Sequence, residues 1–204
     1  MAPLPWDVTS GPEPAVSGFG MLVFMDFEAS SLAKRGFPIE VAWVFEDGRS
    51  ESYLIRPAPG WCDWDVAAER IHGIPRFTLE RDGTAHDVVA NRLVEALEGH
   101  DLLASAPSWD GKWLSALLRA AGLPRHLLRL RNTKAARREA VRDLLTGAVP
   151  PDDLDAEIED VILQAGVPDR LGVPAHRALP DAEEERHRWV AVRDEASRRR
   201  AAIV

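Results

Sequence analysis

The sequence contains one cysteine, Cys62, among 204 residues. A single thiol excludes an internal disulfide scaffold and a cysteine-based zinc site, but it leaves a cysteine nucleophile open. No apolar run approaches the roughly 18 residues that a membrane-spanning helix requires. The first residues have no basic lead and include Asp7, unlike a secretory signal. We therefore expect a cytoplasmic protein that is not an integral membrane protein.

Net positive charge is also absent, since the formal charge is -8. Such a protein does not coat nucleic acid through its net field, although a local basic patch can persist. The remaining composition is that of a globular protein, with 46% hydrophobic and 28% charged residues. Residues 1–18 carry several prolines and glycines. We expect a flexible lead there and a single domain over residues 19–204.

Apolar patterns along the chain indicate both strands and helices. Residues 21–27 are almost continuously apolar, as in a central strand covered on both faces. Residues 40–45 and 51–55 flank an Asp-Gly turn, which predicts an antiparallel hairpin. A long connection follows Pro57. Later segments predict helices near 86–97, 113–118, 134–145, 154–164 and 181–199, and short strands at 102–106 and 127–130. This order indicates an α/β fold with a mixed sheet flanked by helices.

Two acidic residues end the first apolar run. Asp26 and Glu28 are two positions apart, so in a strand their carboxylates lie on the same face. Burying both is costly, and a hard divalent cation such as Mg²⁺ or Mn²⁺ would accept both oxygen ligands. The alternative is a strand that has already reached solvent at Asp26. The Asp-x-Glu pattern alone leaves both interpretations open.

A third acid, Asp110, follows the predicted strand at 102–106 and begins a predicted helix. It would either join the first two acids in a cleft walled by Trp109 and Trp113, or cap the helix, where aspartate is favoured.

A histidine and a fourth acid lie around the start of the last helix. Pro180 is tolerated only in a first helical turn, so the helix is expected to begin near Ala178. His176 then lies on the preceding loop and Asp181 in the first turn, where they can converge. The helix dipole explains Asp181 equally well, and a surface loop explains His176.

The order and contexts of these residues resemble the DEDD exonucleases of the histidine subtype. This superfamily includes the proofreading subunit of bacterial DNA polymerase III, RNase T and oligoribonuclease. The resemblance covers about residues 20–195 and includes the Ile71-His72-Gly73-Ile74 stretch. It implies a ribonuclease H-like fold with antiparallel hairpin strands beside parallel strands. The matching motif residues are Asp26, Glu28, Asp110, His176 and Asp181.

The resemblance implies a 3′-to-5′ exonuclease that uses two Mg²⁺ or Mn²⁺ ions. It would release nucleoside 5′-monophosphates from the 3′ end of single-stranded RNA, DNA or short oligonucleotides. Asp26, Glu28 and Asp181 would hold one ion, with Asp26 bridging to a second that Asp110 supports. His176 would take the proton of the attacking water, because the ordinary pKa of histidine is near neutral. The oligomeric state stays open, a homodimer included.

The resemblance also implies substrate contacts, and the sequence departs from the family pattern at two places. Leu32 and Trp109 would stack on terminal bases, unless they belong to the core. Ser105 and Ala106 stand where the family often has His-Asn. Proofreading enzymes commonly have Thr-Thr-Gly where this chain has Ala-Ser-Ser-Leu, which points away from the polymerase-associated branch. The implied contact residues are Phe27, Ala29, Ser30, Leu32, His72 and Trp109.

Basic residues are concentrated at 125–142, between the second and third motifs. They would either bind strand phosphates or form a solvated helix face that the acids of residues 152–160 neutralise. A rival function is a non-catalytic module that keeps the fold and binds nucleic acid or a protein. The presence of all five motif residues, four acids and one histidine, argues against a non-catalytic module.

Overall fold

The computed structural model describes residues 20–166 and 176–203. Within them, six strands form one mixed sheet in the order β4-β3-β2-β1-β5-β6. The flexible lead predicted at 1–18 lies outside the described residues. The strands are β1 (Leu22–Ala29), β2 (Pro38–Phe45), β3 (Ser50–Arg56), β4 (Thr84–Ala85), β5 (Asp101–Ala104) and β6 (Leu130–Asn132).

Strand β1 lies inside the sheet, as its apolar run predicts. It pairs antiparallel with β2 and parallel with β5. Strands β2 and β3 form the predicted hairpin, whose turn contains Gly48 at a φ of 95°, a conformation that glycine adopts without strain. Strand β6 extends the parallel side beside β5. The carboxyl ends of β1 and β5 therefore lie at the same edge of the sheet.

Seven helices occur in the described part of the chain, and they cover both faces of the sheet. Apolar side chains of α3 and α4 pack on one face, and those of α5 and α7 on the other, with α6 against α5 and α7. None of these helices has both the length and the apolar character that a membrane crossing requires. Their bounds are α1 (Val66–His72), α2 (Arg76–Asp82), α3 (His86–Leu97), α4 (Pro107–Ala120), α5 (Thr133–Leu145), α6 (Leu154–Gln164) and α7 (Ala178–Ile203).

Alternation along β1 sends neighbouring side chains into different cores. Val23, Met25 and Phe27 pack in the core formed with α3 and α4. Phe24 packs on the other face, with its ring centroid 5.9 Å from that of Trp189 in α7. By the same alternation, the side chains of residues 26 and 28 lie on the α7 face.

Two sequence expectations need correction. The long connection after Pro57 contains α1, α2 and β4, whose segments of two to seven residues are too short to show a clear period. The strand predicted at 127–130 begins only at Leu130. Before it, the Leu127 N–H donates to the Pro124 carbonyl in a turn, and Leu128 is buried in the α3 and α4 core without joining the sheet.

Candidate active site

Three carboxyl groups meet where β1 approaches the start of α7. Asp26 and Glu28 come from β1, and Asp181 lies in the first turn of α7. One oxygen of each carboxyl lies within 4.8 Å of the others. Strand β1 continues to Ala29, and both of its acids are only partly exposed. The structure therefore does not support the interpretation in which the strand simply reaches solvent at Asp26.

Burial and repulsion from neighbouring acids raise the pKa values of Asp26 and Glu28. The pKa of Asp26 is raised well above its usual value, first by burial and then by the charges of Asp110 and Glu28. The pKa of Glu28 is raised to about 8, by burial first and then by Asp181 and Glu40. Groups of this kind remain ionised near neutral pH only beside a positive charge. Their oxygen atoms and spacing fit a hard divalent cation.

Asp110 reaches the same place from α4, which begins just after β5. Burial raises its pKa to about 6, while hydrogen bonds from backbone N–H groups, including that of Phe27, lower it. One carboxyl oxygen, Oδ2, is buried without a hydrogen-bond partner among the described residues. The N-cap interpretation is wrong, because α4 is capped by Ala106, whose carbonyl accepts the Asp110 N–H at 3.0 Å. An unpartnered, buried carboxyl oxygen near Asp26 fits a further cation ligand.

His176 lies on the loop immediately before α7. The helix begins at Ala178, as Pro180 predicts, and His176 is exposed. It lines the same cavity as Asp26 and Asp181. The structure thus brings the histidine and all four predicted acids to one cleft, although they are up to 155 residues apart in the numbering.

The cleft has a volume of about 510 Å³ and contains most of the predicted substrate contacts. Ser30 is the exception. Its side chain is fully buried, its Oγ accepts the Phe37 N–H at 3.1 Å, and its carbonyl accepts the Asp65 N–H at 2.9 Å. Ser30 therefore holds the loop after β1 and does not face the cavity. The predicted contacts that line it are Phe27, Ala29, Leu32, His72 and Trp109.

Hydrogen bonding determines which nitrogen of His72 carries a proton. Its Nδ1 accepts the Ile74 N–H at 3.0 Å, so in the neutral ring the proton is on Nε2. Nε2 is buried and has no partner in the described part of the chain. Burial lowers the pKa of His72, which favours the neutral form. The neutral His72 ring, which lines the cavity, therefore carries its N–H on a buried nitrogen.

Apolar side chains surround the mouth of the cavity. Leu32 is 68% exposed, Ile71 56% and Trp109 43%, so neither Leu32 nor Trp109 belongs to the core. The loop that carries Leu32 is held to α4, because Lys112 donates to the Ala33 carbonyl at 2.8 Å. The Lys112 ammonium also lies 4.0 Å from the Trp113 ring centroid. The two sides of the mouth are thereby fixed to each other.

Some residues that line the cavity are not among the predicted site residues. Ile71 belongs to α1, a helix too short for its period to be recognised. On α7, the motif predicts only Asp181, yet residues three, four and seven positions later share its face. That helical spacing is the signal that would have identified them. The additional α7 residues lining the cavity are Glu184, Glu185 and Arg188.

The basic residues at 125–142 are largely engaged by acids. Several of their guanidinium groups form ion pairs, two of them with acids of residues 152–160. The structure therefore supports the neutralised helix face over a track for strand phosphates. These pairs are Arg131 with Asp101 and Glu139, Arg137 with Glu185, Arg138 with Glu159, and Arg142 with Asp155.

No protein-family model matches the sequence, and a comparison with curated proteins finds no significant match. Solved structures do match. A zinc-bound complex of E. coli exonuclease I with single-stranded DNA has a TM-score of 0.61 at 14% identity, over 90% of this chain and 42% of that one. E. coli exonuclease I with a dA16 oligonucleotide has a TM-score of 0.60 at 15% identity, over 89% and 42%. This chain shares its fold with part of exonuclease I.

The likeness to exonuclease I concerns the architecture. A metal-free complex of E. coli exonuclease I with single-stranded DNA also matches, with a TM-score of 0.56 at 13% identity over 82% of this chain. The present chain spans less than half of the exonuclease I chains it matches. The ribonuclease H-like class predicted from the sequence, a mixed sheet flanked by helices, is confirmed.

Proposed function

We propose that this chain is a metal-dependent 3′-to-5′ exonuclease of the histidine subtype, which releases nucleoside 5′-monophosphates from single strands. The observation that carries the proposal is the convergence of four carboxyls and one histidine on one cavity of an exonuclease I fold. The exonuclease I structures that contain single-stranded DNA or an oligonucleotide support the same class of substrate.

The acids supply two neighbouring ligand sets. Asp26, Glu28 and Asp181 would hold one divalent ion, and Asp110, with Asp26, would hold a second. Bound Mg²⁺ or Mn²⁺ would stabilise the phosphate charge that develops during hydrolysis and would acidify the attacking water. The protein contributes rigidity, since Asp26 and Glu28 are held in the β1–β2 pair, opposite Ala42 and Glu40.

His176 is the proposed general base. A neutral imidazole at the cavity wall would accept the proton of the attacking water and return it to solvent, to which His176 is open. No other described histidine among the lining residues suits this task, because the free nitrogen of His72 already carries a proton. His72 would instead donate a hydrogen bond to a substrate oxygen.

The mouth of the cavity favours unpaired bases. Leu32, Ile71 and Trp109 present exposed apolar surfaces, on which bases released from a duplex can stack. In a duplex the same base faces are covered by neighbouring base pairs. This is the reason for proposing a single strand as the substrate.

The proposal is tested with a 5′-labelled single-stranded oligonucleotide, prepared as matched DNA and RNA. With Mn²⁺ or Mg²⁺ we expect stepwise shortening and release of 5′-monophosphates, and with EDTA none. Asp26→Asn should reduce the rate by orders of magnitude, whereas Asp194→Asn, an exposed acid of α7, should leave it unchanged. The non-catalytic rival predicts binding without any shortening, and that result would overturn the proposal.

A further inference from the structure

The residue directly before α7 has no side-chain acceptor with which to cap the helix. Helices usually begin after Ser, Thr, Asp or Asn, whose oxygen accepts a free backbone N–H. Here Arg177 precedes the first helical residue, Ala178, and an arginine side chain has no acceptor. The missing acceptor comes from β2, since the Glu40 carboxylate accepts the Ala178 N–H at 3.1 Å across 138 residues of sequence.

The same carboxylate also holds Arg177. Its Oε1 accepts from Arg177 Nη2 at 2.6 Å, and its Oε2 accepts from Nε at 2.9 Å. This two-pronged contact fixes the guanidinium plane as well as its position. Glu40 is only 3% exposed, so breaking the contact would leave a buried, uncompensated carboxylate. The pair is therefore a fixed joint between the sheet and α7.

Three residues of the proposed site adjoin this joint. His176 is the residue before Arg177, and the Asp181 N–H donates to the Arg177 carbonyl at 3.2 Å. Glu40 also lies directly opposite Glu28 in the β1–β2 pair. The joint consequently connects the strand that carries two of the acids with the helix turn that carries another.

We propose that Glu40 and Arg177 form a positioning pair, which sets where α7 begins and thereby places His176 and Asp181 against the acids of β1. The inference rests on the proposed exonuclease function for its catalytic consequence. Its consequence for metal binding can be measured in the substrate-free protein, without any catalysed reaction. Neither residue is expected to touch the substrate.

The test replaces the joint without changing net charge. Glu40→Met/Arg177→Met removes one charge of each sign and all of the hydrogen bonds, and apolar replacement of an ion pair often leaves folding intact. The matched control is Glu46→Met/Arg193→Met, which removes a more exposed ion pair of 2.9 Å between the end of β2 and the same helix. Thermal unfolding of each protein establishes that it is folded.

Mn²⁺ binding by the substrate-free protein is measured from the electron paramagnetic resonance signal of free Mn²⁺. We expect the joint variant to lose about 10- to 100-fold in Mn²⁺ affinity, the range for residues that orient metal ligands. Its kcat on a single-stranded oligonucleotide should fall by a similar factor with little change in KM. The control should match wild type in both. A folded joint variant with wild-type Mn²⁺ affinity and kcat would overturn the inference.

Arg177→Lys keeps the charge and loses the two-pronged contact, so it decides the question if the double variant does not fold. An intermediate loss in Mn²⁺ affinity is expected, and unchanged affinity and kcat would again overturn the inference. The two proposals also fail separately. A wild-type protein that binds Mn²⁺ but shortens no strand contradicts the exonuclease, while the loss of Mn²⁺ affinity in the variants would still support the positioning pair.

Discussion

Glu28 and Glu40 occupy directly opposed positions on the antiparallel strands β1 and β2. Like charges placed opposite each other normally destabilise a strand pair. Here Arg177 is bound to Glu40, and its charge lowers the pKa of Glu28, against the larger effects of burial and neighbouring acids that raise it. Arg177 therefore pairs with Glu40 within the protein, and Glu28 is left to the cation that the proposed function requires.

In the absence of metal, Glu28 should make the protein less stable as pH rises. Its pKa increases from 4.5 in the unfolded chain to about 8 in the folded protein. Between these values the folded protein keeps a proton that the unfolded chain has released, so stability falls with rising pH and levels off above the folded pKa. Saturating Mg²⁺ should reduce the fall, because a cation replaces the proton.

Thermal unfolding of wild type and Glu28→Gln in EDTA, from about pH 5 to about pH 8, measures this contribution. The stability of the variant relative to wild type should increase across the window. If the free energy of unfolding of Glu28→Gln minus that of wild type stays constant or decreases as pH rises, Glu28 does not carry a raised pKa.

Replacing His176 with alanine should slow the chemical step by about 10²- to 10⁴-fold, the usual contribution of a general base. His187→Ala is the control, since His187 is exposed on α7 and does not line the cavity. Single-turnover rates at saturating metal make the comparison. A rate for His176→Ala within a factor of about three of wild type, far below that range, would remove His176 as the base.

Degradation should require a free 3′ end. A linear strand with a 3′-hydroxyl should shorten, whereas a 3′-phosphate or a circular single strand should resist, because the resemblance implies that the terminal hydroxyl is read beside β1. Gel analysis of the three substrates at equal concentration decides this point. Efficient cutting of the circular strand would indicate an endonuclease.

Trp109→Ala should weaken the binding of single strands. Stacking of a base on an aromatic side chain contributes about 1–3 kcal/mol, so KM should rise about 5- to 160-fold while kcat changes little. Phe77→Ala is the matched control, because Phe77 is also an exposed aromatic residue but does not line the cavity. Equal KM values for the two variants would show that Trp109 is not a stacking surface.

Short-range sequence features were sufficient to predict several elements of the fold and the placement of two acids. The two-residue spacing of Asp26 and Glu28 places both on one face because a strand repeats every two residues. Pro180 sets the start of the last helix because proline is tolerated only in the first turn. The Asp-Gly turn determines the hairpin for a similarly local reason.

Only the tertiary structure decided which of two equally local interpretations holds. Asp110 suits a helix cap or a cleft, and the cleft is observed because α4 begins three residues earlier, at Pro107. Trp109 suits a core or a surface, and its exposure depends on what packs beside it. Glu40 and Arg177 meet across 137 residues, and no periodicity encodes such a contact. The period of a sequence pattern predicts which face of a helix or strand a residue lies on. The residue that it contacts on that face is determined only when distant segments of the chain pack together.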